Sequence, residues 1–163
     1  MKKTKTKTVR WWLLLVLCVV LLWLIGVLYC AIPHRLYPQA RSSYAMQWVT
    51  VKVGNETIAD YLNGEADEGA EEQVPFETVD ALLDQLEQLS YRKRLWPTGM
   101  EALSIAPDVI EISVRYSNGE GWDCWDVYLS PDRQACTRGS YQWMYSICDG
   151  EERYECARAL LEG

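Results

Sequence analysis

The sequence predicts an α+β domain, a small antiparallel sheet with helices packed on one face, carried behind one N-terminal membrane-spanning helix. Three observations predict it. Trp11 to Ile32 form a 22-residue run without a charge, several later segments alternate apolar and polar residues with period two, and Leu82, Leu83, Leu86 and Leu89 recur at helical spacing. Each element can be justified in turn.

The run reads WWLLLVLCVVLLWLIGVLYCAI. At about 1.5 Å per residue it extends roughly 33 Å, which matches a hydrocarbon core of about 30 Å with little tilt. Trp11, Trp12 and Tyr29 stand near its two ends, where amphipathic rings prefer the headgroup level. Lys2, Lys3, Lys5, Lys7 and Arg10 precede the run and only Arg35 and Arg41 closely follow it. Such a basic excess marks the cytoplasmic side. Residues 1–10 are therefore expected as a cytoplasmic tail, 11–32 as the span, 33–45 as a juxtamembrane stalk and 46–163 as one extracytoplasmic domain. A cleaved signal peptide fits less well, because it wants a shorter apolar region and small residues before the cut. Here Leu28, Tyr29, Cys30, Ala31, Ile32 and Pro33 occupy the exit. Lipid modification of Cys30 is disfavoured by the bulk of Tyr29 just before it.

Beyond the span, Pro33 to Gly163 supply 131 residues, the size of a single domain. Five of the 16 Lys and Arg lie before the span, leaving 11 against 23 acids, a balance of −12. Phosphate backbones attract basic patches, so no nucleic-acid partner is expected. The acidic surface speaks first for solubility. Cys124, Cys136, Cys148 and Cys156 form an even set in the last 40 residues, and in an oxidising compartment they are expected to form two disulfides. Three pairings are open, with a Cys124–Cys136 hairpin link preferred. Their spacings of 12, 12 and 8 lack the close pairs of a zinc site or a C-x-x-C redox motif.

Along the domain, Met46 to Val53 alternates as a half-buried strand, Gly54 and Asn55 turn the chain, and Thr57 to Leu62 is a short element of unfixed type. Asn63 to Gln73 holds five acids and no base and is expected as a solvated acidic loop; its offsets do not match an EF-hand. A helix is expected from Pro75, with Val79, Leu82, Leu83, Leu86 and Leu89 on its buried face. Acids lie early in it and Arg92, Lys93 and Arg94 late, an order that suits the helix dipole. Val109 to Tyr116 is a second strand, Asn118–Gly119 a hairpin turn, and Trp122 to Leu129 a third strand. Further strands near Gln134 to Thr137 and Tyr141 to Ile147 complete a meander. Asp149 is expected to cap a last helix, with Glu152 reaching back as in a capping box. The organisation resembles that of many anchored bacterial surface proteins.

Function rests on the aromatic rows of the meander. Trp122, Trp125, Tyr128, Tyr141, Trp143 and Tyr145, beside Asp123 and Asp126, are the candidate ligand surface, since flat amphipathic rings stack on sugars or clamp peptides at low entropic cost. The competing explanation is that a chain with a single Phe uses Trp and Tyr as core filler. Asp123 and Asp126, three apart on a strand, point to opposite faces and so make no paired-carboxylate site by themselves. One histidine, no G-x-S-x-G and no Gly-rich phosphate loop leave no catalytic motif. The expectation is a non-enzymatic binding module, without cofactor or metal, whose partners are the bilayer through residues 11–32 and a protein or glycan outside. An accessory or sensory subunit acting through its span is the second expectation, and an enzyme without a recognisable motif the third.

Overall fold

The computed structural model describes residues 5–37, 43, 46–66, 74–93, 107–117, 121–139 and 144–163. The fold is α+β: an N-terminal apolar helix, then a nine-stranded antiparallel sheet with two further helices. Helix α1 runs Lys5–Ala31. Its Trp11–Ala31 stretch is long and apolar enough to cross a membrane, and none of it is buried against the rest of the chain.

The strands are β1 (His34–Arg35), β2 (Met46–Val53), β3 (Glu56–Leu62), β4 (Glu65–Ala66), β5 (Ser90–Arg92), β6 (Ile110–Ser117), β7 (Trp122–Leu129), β8 (Gln134–Arg138) and β9 (Tyr145–Ile147). Their order across the sheet is β1-β5-β9-β8-β7-β6-β2-β3-β4. The expected meander β6 to β9 forms the middle. The β2–β3 hairpin adds to one side of it, and β5 and β1 to the other. Gly54 makes the β2–β3 turn with φ of +59°, and a Cβ there would stand 2.9 Å from the Pro107 carbonyl oxygen, so the turn needs glycine on two grounds. Both edge strands are two residues long, which leaves little open edge for pairing with another chain.

Alternation determines which side chains enter the core. Val49 and Val51 of β2, Ile110, Ile112, Val114 and Tyr116 of β6, and Trp125, Val127 and Leu129 of β7 are buried on one face. Helix α2 (Phe76–Glu87) lays Val79, Leu82, Leu83 and Leu86 on it, and α3 (Gly150–Glu162) adds Tyr154 and Ala157. Burying a side chain of this size contributes about 2 kcal/mol, so the leucine stripe of α2 is a major source of cohesion.

Four expectations are corrected. Residues 33–37, expected within a stalk, enter the sheet and core: β1 pairs with β5, the Leu36 amide donates to the Leu89 carbonyl at 3.1 Å, and Leu36 and Tyr37 are buried. Two large apolar side chains so near the span are better buried than held in water. Helix α2 stops at Glu87, so Arg92 lies on β5 and Lys93 follows it; neither basic residue complements the helix end. Leu89 is buried by this change of direction rather than by a further helical turn. Asp149 precedes α3 in the left-handed region (φ 55°) and makes no side-chain cap bond. Finally, all six cysteines are free thiols. Arg94, Asn118, Gly119 and the acidic stretch 67–73 lie outside the described residues.

Candidate functional site

Directly paired residues of neighbouring strands share a face. On the face turned away from α2 and α3 the register therefore assembles a transverse polar row. Asp60 on β3 stands opposite Thr50 on β2, Thr50 opposite Ser113 on β6, Ser113 opposite Asp126 on β7, and Asp126 opposite Thr137 on β8. The row is hydrogen-bonded within itself. The Ser113 hydroxyl donates to Asp126 Oδ1 at 2.8 Å and the Thr137 hydroxyl to Oδ2 at 3.2 Å. At the other end the Thr50 hydroxyl donates to Asp60 Oδ1 at 3.3 Å, and the Trp48 indole N–H donates to the same oxygen. A carboxylate has about four acceptor positions, so Asp126 can take further donors from a ligand.

The flanking row is aromatic and cationic. Trp48 stands opposite Arg115, whose guanidinium lies 5.9 Å from the indole centre, and Arg115 stands opposite Cys124. One step further, Trp122 stands opposite Ser117 and is 62 % exposed; Trp48 is 39 % exposed. Two indoles thus lie on the same face of the sheet as two half-buried carboxylates and the half-buried hydroxyls of Thr50 and Ser113, whereas Thr137 is buried and serves only to hold Asp126. Such a surface can stack flat rings and exchange hydrogen bonds with a hydroxylated ligand.

The six aromatic candidates are divided by the fold. Trp122 is on this face and exposed. Trp125 is 1 % exposed and belongs to the core, its ring 5.3 Å from that of Tyr91. Tyr128 shares the row's face but is buried in a small second cluster with Val109, Ala135 and Met144. Burial raises the Tyr128 pKa, reinforced by the Glu111 carboxylate opposite it. Tyr145 is half-buried on the core face, 4.9 Å from Tyr91. Tyr141 and Trp143 lie outside the described residues. Trp125 and Tyr128 therefore present no surface to a ligand, Trp125 because alternation turns it into the core and Tyr128 because it packs with Val109, Ala135 and Met144 on the outward face.

Asp123 and Asp126 point to opposite faces, as period two requires. Asp123 accepts from Arg138 Nε at 2.9 Å and Nη2 at 2.7 Å, and the Tyr116 hydroxyl donates to it at 3.2 Å. Arg138 also lies 5.3 Å over the Trp125 ring, and its bond to Asp123 raises its pKa. The preferred Cys124–Cys136 link is ruled out by the register. Cys136 pairs with Val127 on the core face, whereas Cys124 lies three residues back on the opposite face. Burial pushes the Cys136 thiol pKa up, with nearby Cys148 adding to the effect; burial raises that of Cys124 as well. Cys156 is exposed on α3.

Trp48, Thr50, Asp60, Ser113 and Arg115 were not singled out from the sequence. Alternation did place Trp48 and Thr50, and Ser113 and Arg115, away from the core faces of their own strands. The missing signal was the pairing of β2 with β6, which brings the two sets together. Among the described residues no group of His, Cys, Asp and Glu has the arrangement of a metal site. Comparison with family models, with curated proteins and with solved structures gives no match to this chain.

Proposed function

We propose that the chain is a single-pass membrane-anchored binding module whose domain lies outside the cell membrane and takes a hydroxylated ligand, a glycan, on the polar row. The observation that carries this reading is the alignment of half-buried Asp60, Thr50, Ser113 and Asp126 on the same face as exposed Trp48 and Trp122. Carboxylates and hydroxyls accept from and donate to sugar hydroxyls, and indoles stack on the apolar faces of pyranose rings. The unburied apolar helix supports the anchor, and the basic residues before it support the outward orientation. Titration of the full chain in nanodiscs against a panel of soluble oligosaccharides, followed by tryptophan fluorescence, tests the ligand. A saturable change that Trp122→Ala and Trp48→Ala both weaken is the expected result. A response that survives both substitutions, or none across the panel, counts against the glycan reading.

A second reading is favoured by a separate observation. Rings connect the span to the core in sequence: Tyr29 to His34 at 6.0 Å, His34 to Tyr91 at 5.6 Å and Tyr91 to Trp125 at 5.3 Å. An accessory or sensory subunit acting through its span needs such a firm joint between helix and domain. Scrambling the span while keeping its hydrophobicity separates the two readings, because a pure anchor keeps its activity.

A further inference from the structure

We infer that the edge of the sheet beside the span, formed by Arg35, Arg92 and Lys93, binds the phosphate of an anionic phospholipid headgroup. The inference rests on the reading of Trp11–Ala31 as a membrane span. Those 21 residues extend about 31 Å, the thickness of the hydrocarbon core, which sets the last turn of α1 at the headgroup layer. Tyr29 lies in that turn. Lys93 Nζ stands 2.7 Å from its hydroxyl and 4.6 Å from its ring centre, so the ammonium lies at the headgroup level too.

The neighbouring cations follow from the ladder. Arg92 precedes Lys93 on β5, and β1 starts three residues after the helix ends. Arg35 therefore lies at most about 14 Å from the end of the span. Arg35 stands opposite Ser90, and Ser90 and Arg92 share a face, so the two guanidinium groups project from the same side of the β1–β5 ladder. Both are exposed, and among the described residues neither has an acidic partner. Guanidinium forks bind phosphate bidentately, and Lys93, on the other face of the ladder with Tyr29 and His34, adds a point charge at the same edge. Hydrogen bonding to the phenol raises the Lys93 pKa and keeps that charge in place.

Electrostatics gives the arrangement a purpose. The residues beyond the span carry a balance of −12, and an anionic leaflet repels such a domain. Three cations at the edge nearest the lipid offset that repulsion locally.

The full chain in nanodiscs of phosphatidylcholine and phosphatidylglycerol, analysed by native mass spectrometry for retained lipid, tests the site. Retention of phosphatidylglycerol over phosphatidylcholine is expected, falling about fivefold per cation removed, the factor equivalent to ~1 kcal/mol per basic residue at an anionic surface. The variant R35A/R92A/K93A should lose the preference and R35K/R92K/K93R keep it. If the triple alanine variant does not fold, Arg92→Gln alone carries the test, with about a fivefold loss. Equal retention by wild type and the alanine variant, or by wild type and Arg92→Gln, overturns the inference. Displacement of the lipid by equimolar inorganic phosphate identifies free phosphate as the ligand and also overturns it. Failure of the chain to enter nanodiscs at all overturns the anchor reading, and the inference with it.

Discussion

Lys93 and Tyr29 meet across 64 residues of sequence, the ammonium donating to the phenol oxygen at 2.7 Å while lying 4.6 Å over the centre of the same ring. The contact joins the end of α1 to the end of β5. His34 completes the joint, its ring between those of Tyr29 and Tyr91 and its Nε2 buried without a partner among the described residues. Tyr29, in the last turn of α1, thus touches the domain directly through Lys93 and His34.

The joint can be tested by loosening it. Tyr29→Ala removes both the hydrogen bond and the ring, and the Leu36 amide, bonded to Leu89 in the adjoining ladder, reports local opening. Its hydrogen exchange should rise about fivefold, as loss of ~1 kcal/mol implies. Unchanged exchange means that the contact does not hold the edge strands.

Two tryptophans three residues apart should respond oppositely to truncation. Trp125→Ala opens a cavity between Tyr91 and Arg138 and should cost about 3–5 kcal/mol in denaturant unfolding. Trp122→Ala, at a 62 % exposed site, should change stability by no more than about 0.5 kcal/mol. Similar losses at both positions would place Trp122 in a packed environment.

The cysteines should react in order of exposure. At a pH of about 8 a thiol reagent is expected to modify Cys156 first among the four domain cysteines, Cys124 more slowly and Cys136 last, since a raised pKa leaves less thiolate at a given pH. The same shift has a sign for stability. With the folded Cys136 thiol raised above its unfolded value, the unfolded chain loses its proton first. The stabilisation is then complete below the unfolded value of about 8.5 and declines as the pH rises above it. Peptide mapping of the labelled protein and unfolding curves on either side of that pH check both statements. Cys124 and Cys136 recovered as a disulfide in the native protein would contradict the register.

Gly150 allows a test of close packing. A Cβ at this position would lie 2.5 Å from Gln134 Cβ, so Gly150→Ala should destabilise by about 1–3 kcal/mol although alanine is the better helix former. Gln134→Gly removes the opposing atom, and the double variant should recover most of the loss attributed to the clash. A purely additive pair would place the cost elsewhere.

Much of this architecture was legible in local patterns. Met46 to Val53 is found as β2 and Trp122 to Leu129 as β7 at the expected bounds, and Ile110, Ile112, Val114 and Tyr116 are buried as their alternation required. The helix after Pro75 buries four of the five expected side chains within its own length. Its end is not legible in that pattern, because apolar spacing continues through Leu89 while the pairing of β5 with β1 and β9 turns the chain away. The aromatic surface differs from its expected extent for a related reason. Period two divides Trp122 from Trp125, yet cannot say which of the two faces a helix will cover.

By itself the sequence determined the uncharged 22-residue run, the strand periods and the leucine stripe, because each is a property of neighbours along the chain. Only the tertiary structure decided that β2 lies beside β6, bringing Thr50 to Ser113 and completing a row from Asp60 to Thr137. That pairing joins segments about 60 residues apart, and the order of strands is set by which arrangement buries the most apolar surface under α2 and α3. The same non-local burial drew Leu36 and Tyr37 into the core, and so brought the basic edge of the sheet to the end of the apolar helix.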